Sequence, residues 1–156
     1  MALTRRAPED SPEKAYLACI RLLGRREYSK AELFRKLRLR FTADAAREAV
    51  RRAAMEGAQS DDRFAEMLVR HGLSNCLGPL RIRLDAQRRG FDPDLLDPYM
   101  EGADFQAAAL DFLRRRYEGA DLSDYRLLQK MKAALYRRGF DPDTCVSACE
   151  QFSSSD

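Results

Sequence analysis

The sequence predicts an all-α fold of three tandem three-helix repeats, and three observations carry that prediction. The heptapeptide RRGFDPD occurs at residues 88–94 and again at 137–143, an offset of 49. Apolar residues recur at helical spacing between strong capping signals, and no segment sustains the alternation of a half-buried strand. Each heptapeptide reads as a helix stop followed at once by a helix start. Glycine at C′ accepts positive φ, Asp-Pro supplies an N-cap and a preorganised first turn, and the phenylalanine packs back on the helix it follows.

In chain order, Ser11-Pro12-Glu13 opens the first helix, with Tyr16, Leu17, Ile20 and Leu23 as its apolar stripe. Ser29-Lys30-Ala31-Glu32 is a capping-box pattern and starts the second, in which Leu33 and Leu37 face inward. Here the heptapeptide survives only as a weaker copy: the glycine is missing, and Phe41 and Thr42 stand for Phe91 and Asp92 after a one-residue deletion. Thr42 opens a third helix running to about Met55, before Gly57. Ser60-Asp61-Asp62 caps a fourth, carrying Phe64, Met67 and Leu68, and Gly78-Pro79 begins its partner with Ile82 and Ala86 inside. The last repeat opens near Ala103 with Phe105, Leu110, Phe112 and Leu113, and resumes after Ser123 through Leu127, Leu128, Met131 and Leu135. The implied organisation is a flexible segment over 1–10, repeats over 11–57, 58–101 and 102–152, and a flexible tail over 153–156. Units this small gain stability by stacking, so an elongated, gently curved array is expected.

Composition narrows the class. The 156 residues are 45% apolar, with no apolar run of about 18 residues to span a bilayer. The N-terminal MALTRRAPED lacks the apolar stretch of a secretory signal, which points to the cytoplasm. Cys19, Cys76, Cys145 and Cys149 have neither the density nor the spacing of a disulfide framework and read as small apolar thiols. Net charge is only +3, but it is segregated: residues 91–113 hold six acids and no base, while 114–140 hold eight bases and three acids.

The strongest functional signal is the basic second helix of each repeat. Arg81, Arg83, Arg88 and Arg89 align at the 49-residue offset with Lys130, Lys132, Arg137 and Arg138, and the first repeat supplies Lys30, Arg35, Lys36, Arg38 and Arg40. A row of cationic helices suits a polyanionic or helically repeating partner, against the plainer reading of solvated faces satisfied by local acids. Catalysis has little support. Asp61, Asp62 and Glu66 fit a helix N-terminus, and His71 is the sole histidine, with no nucleophile motif around it. Cys145 and Cys149 share a helix face but lack the further ligands of a zinc site. No phosphate-binding glycine loop is present, so neither cofactor nor metal is expected. Most aromatic residues fit core stripes, leaving one or two tyrosines for a nucleic-acid surface.

Three stretches, RREYSKAEL at 25–33, SDDRFAEMLVR at 60–70 and GPLRIRLDAQRRGF at 78–91, resemble the RecX regulators of the RecA recombinase over nearly the whole chain. The resemblance implies tandem three-helix repeats and a cytoplasmic bacterial protein, not an enzyme. It implies binding to the RecA filament on single-stranded DNA and inhibition of its recombinase, ATPase and coprotease activities. The linker HGLSNCLG lacks the basic residues expected of many relatives. A monomer is expected, with single-stranded DNA as a candidate second partner. The alternative is a stand-alone nucleic-acid-binding module, but these helices are rich in Arg and Lys and carry few of the amides that read bases.

Overall fold

The computed structural model describes residues 6–155. Among them lie nine α-helices and no strand beyond one isolated bridge: α1 Pro12–Leu23, α2 Lys30–Leu37, α3 Ala43–Met55, α4 Asp61–Ser74, α5 Pro79–Arg88, α6 Asp97–Met100, α7 Phe105–Tyr117, α8 Tyr125–Arg137 and α9 Pro142–Ser154. The chain forms two compact units. The first ends at Ala65 and adds Arg89–Phe91; the second takes Glu66–Arg88 and continues from Asp92.

In the first unit the caps form as their residue types dictate. Ser11, Ser29 and Thr42 accept the backbone N–H of Lys14, Glu32 and Ala45 at 3.1–3.3 Å. α1 packs on α3 through small residues: Ala15 and Cys19 meet a face on which Ala45, Ala46, Ala49 and Ala53 are buried. That close approach rotates Leu17 outward, and it is 55% exposed rather than part of the inner stripe. Lacking a glycine, the chain leaves α2 through Arg38–Arg40, and Arg38 donates its guanidinium to the Phe41 carbonyl at 2.9 Å. Of the N-terminal segment set apart in the sequence, Glu9 donates its N–H to the Arg40 carbonyl and accepts from the Thr42 N–H, both at 2.9 Å. Residues 1–5 lie outside the described residues.

In the second unit, α7, α8 and α9 enclose Ala109, Leu113, Met131, Leu135, Phe140 and Ala148. Phe140 is fully buried, which stabilises the fold by about 1.5–3 kcal/mol. Asp104, Asp124 and Asp141 cap the three helices. The middle repeat's third helix is short: a 3-10 turn over Pro93–Leu96 precedes the single turn of α6. Pro98 explains this, because it has no N–H to donate to the Asp94 carbonyl, which instead accepts from Asp97. α9 includes Ser153 and Ser154, which the sequence reading assigned to a tail. All four cysteines are free and buried, and burial pushes the Cys19 thiol up to about 11.

Candidate functional site

The repeated heptapeptide forms a joint, and its second arginine is the central piece in both copies. In the first unit Arg89 sets Nε and Nη2 on the Glu32 carboxylate, both at 2.9 Å, and Nη2 also donates to the Glu27 carbonyl at 3.2 Å. Ser29 Oγ donates to the Arg89 carbonyl at 3.4 Å, and the guanidinium lies 4.6 Å from the Phe64 ring centre. Glu32 is buried and accepts a further bond from Arg26 at 3.2 Å. The capping-box serine therefore acts as expected, while its glutamate serves as the acceptor of a residue 57 positions away.

The second unit repeats this arrangement 49 residues later. Arg138 Nε donates to the Cys76 carbonyl at 2.9 Å, Nη2 donates to the Asn75 carbonyl, and the guanidinium lies 4.8 Å from the Phe112 ring centre. The Gly78 N–H donates to the Arg138 carbonyl at 2.8 Å, where Ser29 Oγ served before. Cys76, the one described non-glycine residue with positive φ, turns its carbonyl toward Arg138. Gly139 has a φ of +94°, and a Cβ built on it would stand 2.3 Å from the Arg81 nitrogen. Gly78 is equally confined, its ideal Cβ falling 2.2 Å from the Gly139 carbonyl carbon. The two backbones touch, and only glycine permits it.

One substitution separates the joints. The position 49 residues after Glu32 is Arg81. Among the described residues Arg138 therefore meets carbonyls and no carboxylate, and none of them neutralises its charge. Arg81, Arg116, Arg137 and Arg138 line a pocket of about 310 Å³ together with Leu77 and Phe112. The lining holds no acid; Asp85 pairs with Arg81 at 3.1 Å. Among the described residues, the exposed side chains of Arg116 and Arg137 have no hydrogen-bond or ion-pair partner.

The remaining predicted residues divide by engagement. Arg83 is held by the Pro93 carbonyl at 3.0 Å and by Asp97 at 2.6 Å, and Arg38 is tied to its own turn. Arg40 lies 5.1 Å from the Phe41 ring centre and 3.7 Å from Glu9, and Lys36 stands 5.7 Å from that of Tyr28. The side chains of Lys30, Arg35, Arg88 and Lys130 are exposed without an ion pair among the described residues, and Lys132 is half-buried. Lys36 and Arg40, with Arg21 and Arg25, surround an apolar groove of about 350 Å³ between α1 and α2. Arg116 and Arg126 were missed by the sequence reading. The run Arg114–Arg116 and the four-residue spacing of Arg126 from Lys130 were the available signals. Among the described residues no His, Cys, Asp or Glu group could hold a metal, and no helix is long and apolar enough to cross a membrane.

Comparison with known proteins places this geometry. Residues 15–52, 60–98 and 103–148 match, in order, the first, second and third three-helix domains of RecX. A regulatory protein RecX from Xanthomonas campestris pv. campestris (strain B100) is 46% identical over 143 residues, covering 88% of this chain and 85% of the relative. One from Legionella pneumophila (strain Corby) is 34% identical over 145 residues, covering 91% and 97%. The crystal structure of RecX from Lactobacillus salivarius superposes with a TM-score of 0.75 at 22% identity, covering 91% of this chain and 96% of that one.

Proposed function

Since three consecutive domain matches and relatives up to 46% identical show that the chain belongs to the RecX family of regulatory proteins, we propose that it binds the RecA filament on single-stranded DNA and inhibits its recombinase, ATPase and coprotease activities. The carrying observation is the ordered match of all three domains, which supports reading the chain as one regulator. The exposed cations Lys30, Arg35, Arg88, Lys130 and Arg137 support the reading, because successive repeats then offer positive charge to a partner with a repeating anionic surface. Each repeat contributes a weak contact, and linkage raises the effective concentration of the next. The protein regulates by binding rather than catalysis, as a cytoplasmic monomer.

The test compares binding to RecA-coated and bare single-stranded DNA of equal length at physiological salt, alongside RecA-dependent ATP hydrolysis. Preference for the coated strand with falling hydrolysis supports the regulator. Equal binding to both, with hydrolysis untouched, replaces it with a stand-alone nucleic-acid binder.

A further inference from the structure

We propose that the second joint is completed by a phosphate group: the pocket of Arg81, Arg116, Arg137 and Arg138 seats a phosphodiester of single-stranded nucleic acid where the first joint carries the Glu32 carboxylate. Correspondence of the two joints is the argument. Arg89 and Arg138, Glu27 and Cys76, and Ser29 and Gly78 occupy equivalent places 49 residues apart, but Arg89 gives Nε and Nη2 to the Glu32 carboxylate while Arg138 gives them to the Cys76 and Asn75 carbonyls. The lining of the second joint's pocket holds no carboxylate. In the first joint one is built into the chain at 2.9 Å from two guanidinium nitrogens, and in the second its position carries Arg81.

Arg81, Arg116, Arg137 and Arg138 thus line one pocket, in which Arg138 has Nε and Nη2 turned to the two carbonyls. Asp85 pairs with Arg81 alone; the other three guanidinium groups have no carboxylate partner among the described residues, and an external anion relieves their mutual repulsion while gaining charge-assisted hydrogen bonds. Arg138 is already fixed by two carbonyls and the Phe112 ring, so little ordering accompanies binding. A phosphodiester suits the place better than a single acidic side chain because the positive charge continues beyond the pocket. Arg126, Lys130 and Arg137 form an exposed stripe on α8, spaced four and seven residues apart, or about 6 and 10 Å along the helix. Such a stripe follows a polyanion. The inference deepens the proposed function by naming a DNA contact, yet its test needs no RecA.

The experiment measures the unfolding midpoint and oligo(dT) binding of the full chain. Inorganic phosphate and oligo(dT) should both raise the midpoint of the parent protein, by linkage. Arg81→Glu restores the carboxylate of the first joint. It should keep or raise the midpoint, abolish the response to phosphate, and weaken oligo(dT) binding about tenfold. Arg116→Ala, an exposed change that leaves the joint intact, should weaken binding by a similar factor and flatten its salt dependence. Arg115→Glu, adjacent on α7 and outside the pocket, is the charge-matched control with a small effect. The proposal is overturned if phosphate leaves the parent midpoint unchanged, if Arg116→Ala binds as the parent does, or if Arg115→Glu loses as much as Arg81→Glu. Competition by poly-glutamate as strong as by oligo(dT) assigns the pocket to acidic protein instead. Loss of RecA inhibition plays no part in these outcomes, so failure here and failure of the regulator reading are separable.

Discussion

The same seven residues perform one backbone task and two electrostatic tasks. At Arg89 the guanidinium is neutralised by Glu32, while at Arg138 it is held by carbonyls that leave its charge intact. The backbones differ in the opposite sense. Gly90 has a φ of +75° and faces only the mobile end of Arg35 and Ala31 Cβ, whereas Gly139 lies directly on the α5 backbone. The first joint is therefore fastened by charge and the second by close contact of two glycines. Identity of a motif fixes the turn it makes, and the preceding repeat decides what that turn is for.

The largest effect expected from breaking this contrast is at Gly139. Gly139→Ala adds a Cβ against backbone and should destabilise by about 3 kcal/mol, combining the positive-φ penalty with overpacking. Gly90→Ala, where a flexible guanidinium can move aside, should cost about 1 kcal/mol. Chemical denaturation of the two variants measures the difference, and equal losses would mean that φ alone governs both. Next in size is Glu32→Gln, which removes the negative charge and one of the two acceptor oxygens that Arg89 and Arg26 share in a buried place. A loss of about 2 kcal/mol is expected, the partial exposure of Arg89 keeping it below the range for fully buried pairs. A loss under half of that would show that Arg89 is held by the Glu27 carbonyl and the Phe64 ring. The smallest effect on stability belongs to the exposed cations. Reversing Arg88 or Lys130 to Glu should move stability by no more than about 0.5 kcal/mol while lowering affinity for the RecA filament and making it less sensitive to salt. Unchanged inhibition by these folded variants would remove both from the interface.

Much of this architecture is legible in the sequence because it is local. Ser29, Thr42 and Asp141 act as caps within three residues of themselves, and the Gly-Phe pair ends a helix wherever it stands. Phe41, Phe91 and Phe140 are all buried, as the aligned copies require. The joint is different: its partners lie about 60 positions apart, and neither a repeat offset nor a helical period reveals which residues meet. Arg89 and Arg138, aligned with each other next to the aligned Arg88 and Arg137, thus read as candidates for the binding surface, though both are engaged internally. Glu32 read as half of a capping box for the same reason. Leu17 followed a correct helical period onto the wrong face, because alanines on α3 drew the smaller residues of α1 inward.

The contact of Gly78 and Leu80 with residues 138 and 139 also sets an order of events during synthesis. The first unit has every residue it needs once Phe91 has been made, whereas the start of α5 acquires its backbone partners at 138 and 139 only later. In the interval the new chain carries a closed first unit and an α5 whose glycine-lined start has nothing to rest on. Domains fold as they become complete, so the earlier unit is a finished platform while the later one is still collapsing. Slow elongation between codons 92 and 140 lengthens the period in which Gly78 and the start of α5 stand uncovered, and that is the window in which a chaperone has most to protect.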